Sequence, residues 1–203
     1  MNAESRDLLL RVTTPAVIAG AVHHRGGGAF AARGLLRKVS ELRRLLEACG
    51  IDALASAASG DRAVPLDATF FDKHARANWT VPGHQDRIVA VAATTARKHR
   101  IREGIAYAEL DAKTLARLVA LRIHFDPTDG ETGALCVVPG SHLGGVMPSG
   151  QISNVPLDQY VPCAAGAGDV LILRPLLLHR SSPSRGEGQR RVLHVVYGTQ
   201  ALT

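Results

Sequence analysis

The chain has 203 residues, 46% of them hydrophobic and 21% charged, which fits a single soluble globular domain and excludes a disordered tail or a coiled coil. Its uninterrupted apolar runs, such as 89–93 and 176–178, are far shorter than the ~20 residues of a membrane span. A net charge of +6 raises nucleic acid as a partner, but an aromatic content of only 4% and basic residues scattered from Arg6 to Arg191 argue against one.

In chain order, residues 1–11 carry Glu4, Arg6, Asp7 and Arg11 where a secretory signal needs an apolar core, so a cytoplasmic protein is expected. Cys49, Cys136 and Cys163 show no paired spacing and read as small buried hydrophobes. His23 and His24, followed by Gly26 to Gly28, read as a flexible loop, because neither the GK[ST] ending of a phosphate loop nor GxGxxG is present. Leu35, Leu36, Val39, Leu42, Leu45, Leu46 and Cys49 recur at helical spacing and predict one amphipathic helix over 34–49, ended by Gly50. After about residue 60 the chain turns to short apolar runs. Strands are predicted over 68–71, 88–91, 119–125, 134–138, 170–173, 176–179 and 192–197, with one helix over 111–119 capped by Asp111. Turn residues such as Pro82-Gly83, Pro139-Gly140 and Gly166 with Gly168 punctuate these runs at intervals that suit a sandwich or jelly roll.

Two His-x-Asp tripeptides stand out, His84-Gln85-Asp86 and His124-Phe125-Asp126. Each puts an imidazole and a carboxylate on one face of a strand, since positions i and i+2 point the same way. A 2-His-1-carboxylate Fe(II) site needs that geometry and leaves its opposite positions open for cosubstrate and oxygen. His179 closes a buried run and is a candidate second imidazole, and Ser181 shares its face if the strand continues. Arg190 opens the last predicted strand, where its planar fork suits a cosubstrate carboxylate. Parity lets only one of Arg190 and Arg191 face inward, and Arg190 is chosen. His194 shares the Arg190 face and either lines the pocket or is a hydrogen-bonded core histidine.

Three stretches, FFDKHARANWTVPGHQDRIVAV (70–91), LRIHFDPTDGETGALCVVPGSH (121–142) and GDVLILRPLLLHRSS with QRRVLHVVYG (168–198), resemble bacterial members of the phytanoyl-CoA dioxygenase family. That resemblance implies a mainly β fold, a cupin-like jelly roll or double-stranded β-helix with flanking N-terminal α-helices. It implies one domain over 1–203, with a helical part to residue 62 and the β core from 63. It implies Fe(II), 2-oxoglutarate and O2 as cofactor and cosubstrates, with His84, Asp86 and His179 as the metal ligands at the catalytic centre. Arg190 then takes the distal carboxylate of 2-oxoglutarate with help from Ser181, while Lys73, Asn78 and Gln85 are further cosubstrate contacts and Trp79 lines the pocket. His124 becomes a structural residue. The implied reaction hydroxylates an unidentified small organic substrate and releases succinate and CO2; the alternative is a non-catalytic binding or regulatory protein on the same β-helix. Between 97 and 111 this chain is short and basic (Arg97, Lys98, His99, Arg100, Arg102) where relatives carry a longer, more aromatic insertion, which leaves room for an acidic or carrier-linked substrate.

Overall fold

The computed structural model describes residues 1–14, 22–25, 28–92, 99–102, 104–185 and 188–203; Gly26 and Gly27 of the glycine segment, and Arg97 and Lys98 of the basic stretch, lie outside them. The strands are β1 (Val22–Arg25), β2 (Gly28–Ala32), β3 (Val64–Lys73), β4 (Val81–His84), β5 (Ile88–Ala90), β6 (Arg100–Arg102) and β7 (Ile105–Glu109). They continue with β8 (Val119–His124), β9 (Leu135–Val137), β10 (Val161–Pro162), β11 (Val170–Leu173), β12 (His179–Ser181) and β13 (Arg190–Gly198). The α-helices are α1 (Ala3–Thr13), α2 (Leu35–Lys38), α3 (Leu42–Ala48), α4 (Ile51–Ser59), α5 (Ala112–Leu115) and α6 (Ser149–Ser153). None is long and apolar enough to cross a membrane.

A six-stranded sheet runs β1-β2-β3-β13-β8-β11, a four-stranded sheet β10-β9-β12-β4, and a three-stranded sheet β5-β7-β6. The pairings are antiparallel. This is the mainly β, double-stranded β-helix architecture with helices from the N-terminal part, which also contributes the β1-β2 hairpin to the large sheet.

Period-2 alternation in the large sheet decides what each face does. Val119, Leu121 and Ile123 of β8, Ala68 and Phe70 of β3, and Leu193, Val195 and Tyr197 of β13 point to the helices and join their buried leucines in one core. The intervening residues, among them Thr69, Phe71, Arg122, Arg190 and His194, line a cavity instead. Each leucine buried in the helix layer contributes about 1.5–3 kcal/mol, so that layer clamps the back of the sheet whose front carries the polar residues.

The helix predicted over 34–49 is two helices. Val39 turns extended (φ −120°, ψ 98°) after α2, and α3 restarts at Leu42. All of Leu35, Leu36, Val39, Leu42, Leu45 and Leu46 are buried, so the periodicity reports burial correctly while sheet contact bends the axis. Gly50 ends α3 in the left-handed region at φ 74°, which lets the unpredicted α4 start at once. Tyr197 on β13 donates its hydroxyl to Asp52 of α4 at 2.7 Å, fixing that helix on the sheet. Asp111 caps α5 by accepting the Thr114 amide at 2.9 Å, but the helix closes at Leu115 because the chain is already committed to β8 by Val119. The 176–179 strand begins only at His179, after a turn at Pro175–Leu177. The cysteines are free and half-buried, with Cys49 packed against the edge of the core.

The second His-x-Asp tripeptide has a structural role. Asp126 accepts the Arg191 backbone amide at 2.8 Å and its guanidinium through two oxygens, at 2.8 and 2.6 Å. This fork pins the end of β8 to the start of β13. Asp126→Ala is expected to lower the unfolding free energy in urea by about 1–3 kcal/mol while leaving metal binding unchanged.

Candidate metal centre and anion pocket

The pairing of β12 with β4 sets His179 directly opposite His84. Their ring centroids are 4.2 Å apart. His84 Nδ1 lies 2.9 Å from the Pro82 carbonyl oxygen, and His179 Nδ1 lies 2.9 Å from that of Leu177. A carbonyl only accepts, so both imidazoles hold their proton on Nδ1 and present Nε2 as a lone pair. The two Nε2 atoms lie 3.5 and 3.7 Å from the two oxygens of Asp86. Asp86 sits just beyond β4, not on it, and its backbone amide donates to the Pro175 carbonyl at 2.8 Å, which turns the carboxylate inward. Gly83 is required beside it: a Cβ there would collide with the Tyr160 hydroxyl.

One ligand atom from each of His84, Asp86 and His179 lies within 4.8 Å of the others. Two neutral imidazoles and one carboxylate on one side of an open cavity suit a divalent first-row ion such as Fe(II), and the locked Nδ1 protons orient both rings for it. Burial acts to raise the Asp86 carboxyl, but hydrogen bonding to His84 and attraction to His179 and His194, which act whenever those rings take up a proton, hold it well below the usual carboxylate range. The ionised ligand form is therefore the resting one.

The cavity, about 370 Å³, is walled by the triad on one sheet and by Phe71, Arg122, Arg190 and His194 on the other. Arg190 is 3% exposed, and its Nε and Nη1 have no hydrogen-bond partner. Burial, reinforced by the charge of Arg122, lowers it to about 9, so it stays a cation at neutral pH. Beside it in the β-ladder, Lys73 is fully buried and donates to the Ser182 carbonyl at 2.7 Å and to the Ser181 hydroxyl at 3.3 Å. Its ammonium lies 5.0 Å from the Trp79 ring centroid, and Trp79 lines the cavity. Burial first, then Arg190 and Arg122, push Lys73 down to about 7.

Two expected cosubstrate contacts are turned elsewhere. Gln85 donates to the Gly145 and Leu176 carbonyls at 2.9 and 2.7 Å and accepts the Met147 amide at 2.8 Å, so it ties two loops together behind the triad. Asn78 is exposed and exchanges two 2.7 Å hydrogen bonds with the Ser184 backbone. His194 lines the cavity with its Nδ1 unpartnered, in place of a hydrogen-bonded core role. Burial and then Arg122 lower it to about 3, which keeps it neutral. His124 is 1% exposed, meets the Thr128 hydroxyl at 3.3 Å and is likewise neutral, lowered by burial to about 4. Sequence reasoning missed Arg122. Its signal was a charged residue in the middle of a strand that reads as wholly buried.

Fold and site together give a double-stranded β-helix with a candidate 2-His-1-carboxylate metal centre. The family model for phytanoyl-CoA dioxygenase (PhyH) matches residues 17–192, and the chain belongs to that family. No curated protein sequence matches it. Among solved structures, AviO1 from Streptomyces viridochromogenes Tue57 is similar with a TM-score of 0.68 at 20% identity, over 100% of this chain and 88% of that one. EctD from S. alaskensis gives 0.73 at 15% identity, over 100% and 70% of the two chains. SnoK from nogalamycin biosynthesis gives 0.71 at 17%, over 98% and 76%. At these identities the likeness carries the fold alone.

The depressed Lys73 yields a pH prediction. Its folded value of about 7 lies below the ordinary 10.5, so below pH 7 the fold bears the whole cost of a buried ammonium. From about 7 to 10.5 the unfolded chain binds more protons, and this group's contribution to stability rises with pH. Lys73→Met is expected to raise the melting temperature most at pH 6, with the gain fading as pH approaches 10; a gain independent of pH would contradict a buried, titrating ammonium.

Proposed function

We propose that this chain is an Fe(II)- and 2-oxoglutarate-dependent dioxygenase that hydroxylates a small organic substrate and releases succinate and CO2. The observation that carries the reading is a buried, unpartnered Arg190 guanidinium in the same cavity as the His84, Asp86 and His179 triad. A metal-chelating 2-oxo acid with a second carboxylate satisfies both ends of that arrangement at once. Family membership supports the reading, as does the similar fold of EctD, whose crystal structure holds 2-oxoglutarate and 5-hydroxyectoine.

Bound Fe(II) would supply the activation of O2, coupled to oxidative decarboxylation of 2-oxoglutarate, with one oxygen atom leaving in succinate and the other in the hydroxylated product. The chain's own part is binding, orientation and exclusion of water. His84, Asp86 and His179 hold the metal on one side and leave the cavity side free for ligands. Arg190 meets the distal carboxylate as a fork, with Ser181 and Lys73 beside it as further donors. Phe71, Trp79 and Leu135 supply apolar wall, which strengthens each polar contact inside and limits water at the reacting carbon. At the mouth, exposed Arg33 and Arg102 border the same cavity and support a substrate with an anionic group.

Anaerobic titration of the Fe(II)-loaded protein with 2-oxoglutarate tests the reading. The wild type is expected to develop the visible absorption band of a 2-oxo acid chelated to Fe(II), and His179→Ala to lose it. Arg190→Met is expected to keep the metal but bind 2-oxoglutarate at least about 30-fold more weakly. A wild-type protein that binds neither metal nor 2-oxoglutarate would point to a non-catalytic member of the fold.

A further inference from the structure

Arg190 offers a fork for one carboxylate, with Lys73 buried behind it on Ser181 and Ser182, yet the cavity is lined by a second buried arginine. Arg122 lies mid-strand on β8, cross-strand from His194 on β13, and is 7% exposed. Its side chain lines the cavity that the triad lines. Its Nε has no hydrogen-bond partner, and among the described residues no carboxylate lies within ion-pair distance of it. Of the carboxylates around the cavity, Asp86 belongs to the triad. Asp67, one row further along the sheet, accepts the Tyr107 hydroxyl at 3.1 Å and the Ala68 amide at 2.8 Å. Arg122 feels the Asp86 charge across the cavity, but among the described residues it has no ion-pair partner of its own, since Asp86 is held by His84 and His179.

The register places this charge. Across β3, β13 and β8 the cavity face carries Lys73 with Arg190, then Phe71 with Val192 and His124, then Thr69 with His194 and Arg122. Successive rows are about 7 Å apart. The Arg122 guanidinium leans back over Phe71, 5.8 Å from the ring centroid, which brings it to within about one row of Arg190. That spacing is about the length of a short dicarboxylate, and Arg122 stands at the end away from Arg190.

We propose that Arg122 is a second carboxylate receptor in the cavity, independent of Arg190. The inference rests on the dioxygenase reading above for the identity of its ligand. The recognised chemistry is a carboxylate, brought either by the metal-end carboxylate of the 2-oxo acid or by the organic substrate. A guanidinium with no partner in the free protein is destabilising to bury and is satisfied only when an anion enters, so binding and not folding accounts for the residue.

The test measures equilibrium binding to the Fe(II)-loaded protein under anaerobic conditions, by calorimetry and by the absorption band, with 2-oxoglutarate and with 2-oxobutyrate, which lacks the distal carboxylate. Arg190→Met is expected to abolish the preference for 2-oxoglutarate. If Arg122 seats the metal-end carboxylate, Arg122→Met weakens both 2-oxo acids alike, by about 10-fold or more, and keeps the preference. Arg122→Lys recovers only part of the loss, because an ammonium lacks the fork. If the substrate brings the carboxylate, Arg122→Met leaves the 2-oxo acids unchanged and weakens hexanoate binding to the protein already holding Fe(II) and 2-oxoglutarate. In either case the metal-free Arg122→Met protein melts at or above the wild-type temperature. An Arg122→Met protein that binds 2-oxo acids and hexanoate like the wild type, or that melts well below it with binding unchanged, overturns the proposal. A wild type that binds no 2-oxo acid overturns the dioxygenase reading instead, and the hexanoate and melting measurements then decide Arg122 separately.

Discussion

The site is organised around buried basic side chains that have no ion-pair partner among the described residues. Lys73, Arg122 and Arg190 come off three adjacent strands, all on the face turned away from the helices. Loss of water lowers all three, with repulsion from the neighbouring arginines adding to it at Lys73 and Arg190, to about 7 for Lys73, about 9 for Arg190 and about 10 for Arg122. A fold tolerates such a cluster only if the frame around it is rigid, because any relaxation would let water or a neighbouring carboxylate in. The frame is the leucine-rich helix layer on the opposite face, with the Tyr197 to Asp52 hydrogen bond and the Arg191 to Asp126 fork at the ends of β13. Parity alone separates Arg190 from Arg191: Arg191 pairs with Asp126, and Arg190 faces the cavity with its Nε and Nη1 unpartnered.

The triad obeys the same economy of placement. His84 and His179 meet through one cross-strand pair, and each is oriented by a backbone carbonyl two residues earlier, at Pro82 and Leu177. The surrounding loops are held by Gln85, whose amide bridges the segments that carry Gly145, Met147 and Leu176. The side chain between the two candidate ligands in sequence thus acts behind the site, on the segment that leaves β4 after His84. A fold shared at 15–20% identity with AviO1, EctD and SnoK shows how little of the sequence such a scaffold fixes. What distinguishes this chain lies in the side chains on the cavity face.

Much of that was legible from the residues. Short apolar runs and turn residues located the main strands, and the two His-x-Asp tripeptides, His179 and the Arg190/Arg191 choice followed from parity and chemistry. Which tripeptide holds the metal required the resemblance, since both satisfy the same local rule; only the fold reveals that Asp126 faces Arg191. The helix over 34–49 was misread because helical spacing reports which residues are buried, and a bent pair buries the same leucines as a straight rod. The backbone partners of Asn78 and Gln85 were not legible, because an amide near a motif looks like a ligand contact until the fold shows what it bonds. Arg122 was passed over because a strand flanked by apolar residues invites reading every position as core.

The central claim is that the triad and Arg190 are the two ends of one dicarboxylate site. An anaerobic crystal structure of the protein with Fe(II) and 2-oxoglutarate tests it most directly, with anomalous scattering at the iron edge to place the metal. The account predicts one iron bound by His84 Nε2, His179 Nε2 and an Asp86 oxygen, with the far carboxylate of 2-oxoglutarate on the Arg190 guanidinium. Iron bound elsewhere, or 2-oxoglutarate density that leaves Arg190 without a carboxylate, would contradict it.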